Sequence, residues 1–137
     1  MELIVVKSLK INVIGGGPGG LYFSILMKLA NPIHQITVYE QNKPDDTFGF
    51  GVVFSDETLE NFMGQDPVTY DKIRDQFAYW DKIEVRYRGE CIRSGGHGFA
   101  GMARKTLLNI FRERCMDLGV EINYETIITD LKKLQDA

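Results

Sequence analysis

The sequence is poor in the residues that build cross-links and metal sites. It holds only two cysteines, Cys91 and Cys115, with no CxxC spacing. That excludes a disulfide framework and a structural zinc site, and leaves two ordinary reduced thiols. The opening stretch, Met1 to Lys7, is apolar but too short and too charged to cross a bilayer, which takes roughly 20 apolar residues. It has no signal-peptide cleavage pattern either, so the expected location is the cytoplasm. No excess of basic charge exists. The net charge is −3 and the isoelectric point about 5.4, which argues against nucleic acid as a partner. Arg86, Arg88 and Arg93 do lie close together. They read as a solvated strand face, with contact to an anionic substrate as the alternative. No internal repeat and no low-complexity tract is visible.

What is present fits one soluble domain. The chain has 137 residues, 44% of them hydrophobic and 26% charged, enough for a core and far from a disordered composition. Lys10 to Ile14 is a short apolar run that ends in glycine, as a buried parallel strand does. Leu3 to Val6 either extends it or belongs to a leader over residues 1–8. After a glycine-rich turn, Leu21, Ile25, Leu26 and Leu29 share one face of a helix that stops at Asn31-Pro32. Gln35 to Glu40 reads as a second strand. Together these make a βαβ unit of about 30 residues.

Further on, Gln41 to Phe50 is loop-like. Ser55 is placed to cap a helix through Met63, and Pro67 to open another through about Phe77. Lys82 to Arg88 alternates as a strand, Gly89-Glu90 turns, and Cys91 to Arg93 returns. Gly95 to Gly101 reads as a second glycine-rich loop. Lys105 to Leu118 is amphipathic, with Leu107, Leu108, Phe111, Cys115 and Leu118 on the apolar side, and Gly119 closes it. Val120 to Tyr124 reads as a third parallel strand. The fold expected is α/β.

The chemistry lies in Gly15-Gly16-Gly17-Pro18-Gly19-Gly20, a GxGxxG match that follows a strand and opens a helix. Gly15 allows a tight turn. Gly17, lacking Cβ, lets the backbone approach a pyrophosphate, and Gly20 lets the helix lie close to the strand. The first amides of the helix and its positive dipole end then face the phosphates. Glu40 completes the fingerprint, about 20 residues past the last of these glycines, where a carboxylate accepts hydrogen bonds from ribose hydroxyls. It would repel a 2′-phosphate, so NADP is disfavoured at this site. FAD and NAD share the ADP half, and these residues alone leave the choice open.

The stretch Ile11 to Glu40, then Lys43 to Ser55 with Gly49-Phe50-Gly51, Phe77 to Asp81, Tyr87 to Glu90 and Arg93 to Phe99 with His97-Gly98-Phe99, resembles group A flavoprotein aromatic monooxygenases. These are the para-hydroxybenzoate-hydroxylase-like enzymes. The likeness is strongest to the branch acting on aromatic CoA thioesters, the salicylyl-CoA 5-hydroxylase and 2-aminobenzoyl-CoA monooxygenase/reductase type. The resemblance implies a Rossmann-like FAD/NAD(P)-binding domain over residues 1–137, FAD as cofactor and NAD(P)H as electron donor. It implies an aromatic substrate, of the CoA-linked kind, and neither a metal nor a membrane partner. Gly15, Gly17, Pro18, Gly19 and Gly20 would then hold the pyrophosphate, and Glu40 with Gln41 the adenosine ribose. Arg104, in a helix start like the family's, would reach the ribityl–phosphate region, and the backbone of Ile128 would meet adenine. The loop Thr47 to Val53 would lie near the isoalloxazine. His97 is a loop residue or a contact to substrate or flavin. Phe48, Phe50, Phe54 and Phe99 line an aromatic pocket or pack in the core. No catalytic residue is assigned.

The chain departs from that family in length, since the later Asp-Gly and Gly-Asp elements are missing. Weak FAD binding and little hydroxylation by this chain alone are therefore expected. Other flavin-superfamily activities (halogenase, reductase, cyclase) and a non-catalytic nucleotide-binding remnant are the alternatives.

Overall fold

The computed structural model describes residues 7–46 and 49–135. In chain order the elements are β1 (Lys10–Ile14), α1 (Pro18–Ala30), β2 (Gln35–Tyr39), β3 (Gly51–Ser55), α2 (Asp56–Gln65), α3 (Pro67–Arg74), β4 (Ala78–Trp80), β5 (Ile83–Tyr87), β6 (Glu90–Ser94), β7 (Phe99–Ala103), α4 (Arg104–Asp117), β8 (Glu121–Asn123) and α5 (Lys132–Gln135). They fall into two units, residues 1–46 with 108–137, and residues 47–107. The role of Leu3 to Val6 lies outside the described residues.

The first unit is built on a parallel sheet of order β1-β2-β8. Val13 pairs with Val38, and Val38 in turn with Ile122. On the middle strand Ile36 and Val38 are buried, as the two-residue alternation of a strand requires. Pro18 starts α1 at a position where its missing N–H has no partner to lose. Leu21, Ser24 and Ile25 are the buried residues of α1. The expected stripe is shifted, because Leu29 is exposed while Ser24 is admitted to the core by returning its hydroxyl to the Gly20 carbonyl at 2.8 Å. From Leu108 onward α4 belongs to this unit and buries Leu108, Ile110, Phe111 and Cys115. Phe111 stacks on Tyr22 with ring centroids 5.5 Å apart, and the Cys115 thiol points at the Leu21 carbonyl, 3.5 Å away. Gly119 ends the helix at φ +84°. Each large apolar side chain so enclosed contributes about 1.5–3 kcal/mol.

Burial pushes the Cys115 thiol up to about 12, so at neutral pH it carries no nucleophilic thiolate. Cys91 is exposed. Alkylation of the native protein at pH 8, followed by peptide mass analysis, should therefore mark Cys91 alone, and both cysteines after denaturation. Rapid native labelling of Cys115 would contradict this packing.

The second unit carries an antiparallel sheet of order β3-β7-β4 and the two-stranded ribbon β5-β6. Ser55 caps α2, its hydroxyl accepting the Thr58 N–H at 3.3 Å. Leu59, Phe62, Ile73, Ala100, Met102 and Leu107 form the buried apolar set. The ribbon turns on Arg88 and Gly89, both left-handed at φ 50° and 82°, one residue before the expected Gly89-Glu90. Two consecutive left-handed residues match the twist of a two-residue hairpin loop.

Two stretches expected as loops, Gly95 to Gly101 and Thr47 to Val53, prove to be strand in part, from Phe99 and from Gly51 onward. Residues 99–103 form β7, and residues 51–55 form β3. Their glycines answer to close packing within the sheet. A Cβ on Gly51 would lie 2.9 Å from the Met102 carbonyl, and one on Gly101 would lie 3.0 Å from the Trp80 ring. Among the described residues no helix is long and apolar enough to cross a membrane.

Candidate dinucleotide site

The geometry of the glycine turn follows from its backbone. Gly15 sits at φ +106°, a conformation that L side chains avoid, and its N–H donates to the Tyr39 carbonyl at 2.8 Å. The turn is thus tied to the tip of β2. A Cβ on Gly20 would fall 2.1 Å from the Gly15 carbonyl oxygen and 3.3 Å from Val13, so this glycine is what lets α1 close onto β1. Gly17 is the N-cap of α1 and offers no side-chain cap. Cβ atoms on Gly17 or Gly19 would meet nothing within 4 Å. The bend therefore presents backbone and open space at a helix N-terminus, which is the arrangement that receives an anion.

Glu40 directly follows β2, half-buried. Oε2 accepts the Gly16 N–H at 2.7 Å, and Oε1 accepts the Asn42 backbone N–H at 3.0 Å and its side-chain amide at 3.2 Å. The backbone of Glu40 is held as well: its N–H donates to Asn123, and its carbonyl accepts the Thr126 N–H. A carboxylate oxygen accepts more than one hydrogen bond, so capacity for sugar hydroxyls is left. Gln41 is exposed beside it, and Ile128 lies half-buried in the loop past β8.

Arg104 opens α4 in the second unit. Its N–H donates to the Phe50 carbonyl at 3.2 Å, and its side chain passes Gly49, where a Cβ would be 3.6 Å away. Its Nε is buried with no hydrogen-bond partner among the described residues, so that N–H is left able to donate. The open bend and the uncapped helix start fit a phosphate-bearing cofactor.

The remaining expectations divide. His97 has a partner that the sequence did not reveal: its Nε2 lies 2.8 Å from the Ser94 hydroxyl, and its ring stacks on Phe99. Phe50, Phe54 and Phe99 have different surroundings. Phe50 is fully exposed, Phe54 packs edge-on against Phe62, and Phe99 stacks on Trp80. Thr47 and Phe48 lie outside the described residues. Of the clustered arginines, Arg86 and Arg93 both bond to Glu84. Arg86 first and Arg93 second hold that carboxyl below its ordinary range. Arg88 lies over the Tyr87 ring.

Three residues escaped the sequence reading. Gly16 is needed because a Cβ there would lie 3.0 Å from the side chain of Glu40. Asn42 supplies two donors to the same carboxylate. Arg112 is buried, and its one signal in the sequence was a cation in the apolar stripe of α4, between Leu108 and Cys115.

A parallel βαβ unit, a glycine bend at a helix start and an acid on the neighbouring strand tip define a dinucleotide-binding fold of the Rossmann type. Among known proteins, the chain is 45% identical over 128 residues to salicyloyl-CoA 5-hydroxylase of a Streptomyces species, covering 93% of this chain and 25% of that protein. It is 30% identical over 119 residues to the 3-hydroxy-4-methyl-anthranilyl-[aryl-carrier protein] 5-monooxygenase of Streptosporangium sibiricum, covering 87% and 34%. Its structure matches 2-methyl-3-hydroxypyridine-5-carboxylic acid oxygenase with a TM-score of 0.76 at 21% identity, over 88% of this chain and 32% of that one. No protein-family model matches. The chain is a partial homologue of the flavin-dependent aromatic hydroxylases, and it spans about a quarter to a third of the length of these relatives.

Proposed function

We propose that this chain binds FAD at the glycine bend and serves flavin-dependent hydroxylation of an aromatic acid carried as a thioester. One observation carries the reading. The uncapped start of α1 lies open at Gly17 and Gly19, while the Glu40 carboxylate is fixed to the same bend through Gly16 at 2.7 Å. Diphosphate and ribose would then be met by neighbouring groups of one rigid frame. Gly17, Pro18 and Gly19 would receive the diphosphate, Gly15 and Gly20 shape the bend, and Glu40 with Gln41 would take the ribose hydroxyls. Ile128 would offer backbone to adenine. When bound, FAD supplies reduction by NAD(P)H and the activation of dioxygen for transfer of one oxygen atom to the ring. The protein's share is to orient the cofactor and keep water away.

The carrier-bound aromatic acid is supported by two relatives, whose names specify a CoA substrate and an aryl-carrier-protein substrate. A cytoplasmic location belongs to the same proposal, since both free cysteines would stay reduced there.

The test is direct. The purified protein should be yellow and release FAD on denaturation. A colourless protein that takes up NAD in its place would defeat the proposal. Glu40→Ala should weaken FAD binding by about 1.5–3 kcal/mol, the scale of hydrogen bonds to a charged group. Titration by flavin fluorescence quenching measures it, and an unchanged affinity removes Glu40 from the site.

A further inference from the structure

Arg112 stands out as a buried charge, 8% exposed, in the apolar stripe of α4. Enclosing a guanidinium costs several kcal/mol of lost hydration unless its surroundings repay it, so its contacts show what it is kept for. Nη1 donates to the Pro44 carbonyl, and lies 3.4 Å from the Asn109 side-chain oxygen. The guanidinium carbon sits 5.6 Å above the Tyr124 ring. Nε has no hydrogen-bond partner.

Pro44 ends the short segment that begins at Glu40, and Tyr124 follows β8. These two segments are stitched together around the acid. The Glu40 N–H donates to the Asn123 carbonyl at 2.8 Å, the Thr126 N–H to the Glu40 carbonyl at 2.9 Å, and the Glu125 N–H to the Asn42 carbonyl at 3.1 Å. Asn42 then returns two donors to the Glu40 carboxylate. Arg112 touches both segments, and it is a single side chain anchored on a helix.

We propose that Arg112 is a positioning residue that clamps the Glu40–Pro44 segment to Tyr124 and so fixes the carboxylate that selects the ribose hydroxyls. The inference rests on the dinucleotide reading above and names the specificity of that same site. Arg112 would touch no ligand. Without it, the Pro44 carbonyl loses its donor, the segment loosens, and the hydrogen bonds that the carboxylate accepts from two hydroxyls lose their geometry, which tolerates only about 0.5 Å of error.

A loosened acid has a signature that general destabilisation lacks, because it affects only ligands with the hydroxyls. Binding of ADP and of 2′,3′-dideoxy-ADP to the whole chain can be compared by calorimetry. The wild type should prefer ADP by about tenfold, the order expected of hydrogen bonds to a carboxylate. Arg112→Met should reduce that preference to twofold or less, roughly the ratio left when the bonds are gone, with dideoxy-ADP affinity little changed. Arg112→Lys should restore part of it. Adding Glu40→Ala to Arg112→Met should lower ADP affinity little further, since both changes act on one interaction. Equal weakening of both ligands, or an intact preference in Arg112→Met, would overturn the inference and leave Arg112 a structural residue. If Arg112→Met does not fold, Arg112→Lys carries the comparison, and if neither folds the role is structural. A wild type that binds FAD and ADP but ignores the hydroxyls refutes the clamp and the ribose role of Glu40, and leaves dinucleotide binding standing. One that binds no dinucleotide refutes the underlying reading as well.

Discussion

Gly17→Ala should leave the protein folded and take away most of its FAD affinity, by about 100-fold, equivalent to roughly 2.7 kcal/mol. Gly17 is the N-cap of α1 with φ −75° and ψ −179°, a conformation open to alanine, and the added methyl would meet no protein atom within 4 Å. Thermal unfolding should therefore shift by no more than the equivalent of about 1 kcal/mol, the usual effect of an alanine at a helix cap. The methyl would instead occupy the path by which a diphosphate reaches the first helical amides. Flavin titration and a melting curve on the same sample settle the matter. Wild-type affinity in a folded variant would mean that the phosphates lie elsewhere.

Gly20→Ala should do the reverse and strike the fold first. Its methyl would lie 2.1 Å from the Gly15 carbonyl oxygen, a distance that no rotamer relieves, because both atoms are fixed by backbone. Either α1 must retreat from β1 or the bend must open. Forced overpacking costs about 1–3 kcal/mol and more where backbone must move. We expect about 3 kcal/mol or more, a large part of the 5–15 kcal/mol that holds a typical domain together. Urea unfolding measures the change, and a midpoint equal to wild type would show that the helix does not pack against the strand through Gly20. Two alanines three residues apart should thus separate binding from folding.

The elements around the site were the most legible. Lys10–Ile14 is bounded as expected, and α1, β2, α4 and β8 fall within a few residues of their sequence pattern, because period, proline and glycine punctuation all agreed there. The second unit was read less well. Gly98 and Gly101 made β7 look like a loop, and Gly51 did the same for the start of β3. Only the folded partners explain them, since the Met102 carbonyl and the Trp80 ring occupy the space a side chain would need. β4 has three residues, all exposed, and leaves no hydrophobic period to detect. The place of Glu40 was visible in its spacing, but its inward partners were not. Gly16 and Asn42 become partners only when the chain is bent, and Arg112 reaches Pro44 across 68 positions of sequence.

The bond between Gly16 and Glu40 sets a limit on how this protein could be redesigned. In many nucleotide enzymes the acid at the second strand can be exchanged for a small or basic residue to admit a 2′-phosphate. Here that exchange would also strip an acceptor from the Gly16 main-chain amide in the glycine bend, so the bend would lose its brace as the charge beside it was reversed. Retargeting to a phosphorylated sugar would require a second mutation that returns an oxygen to Gly16.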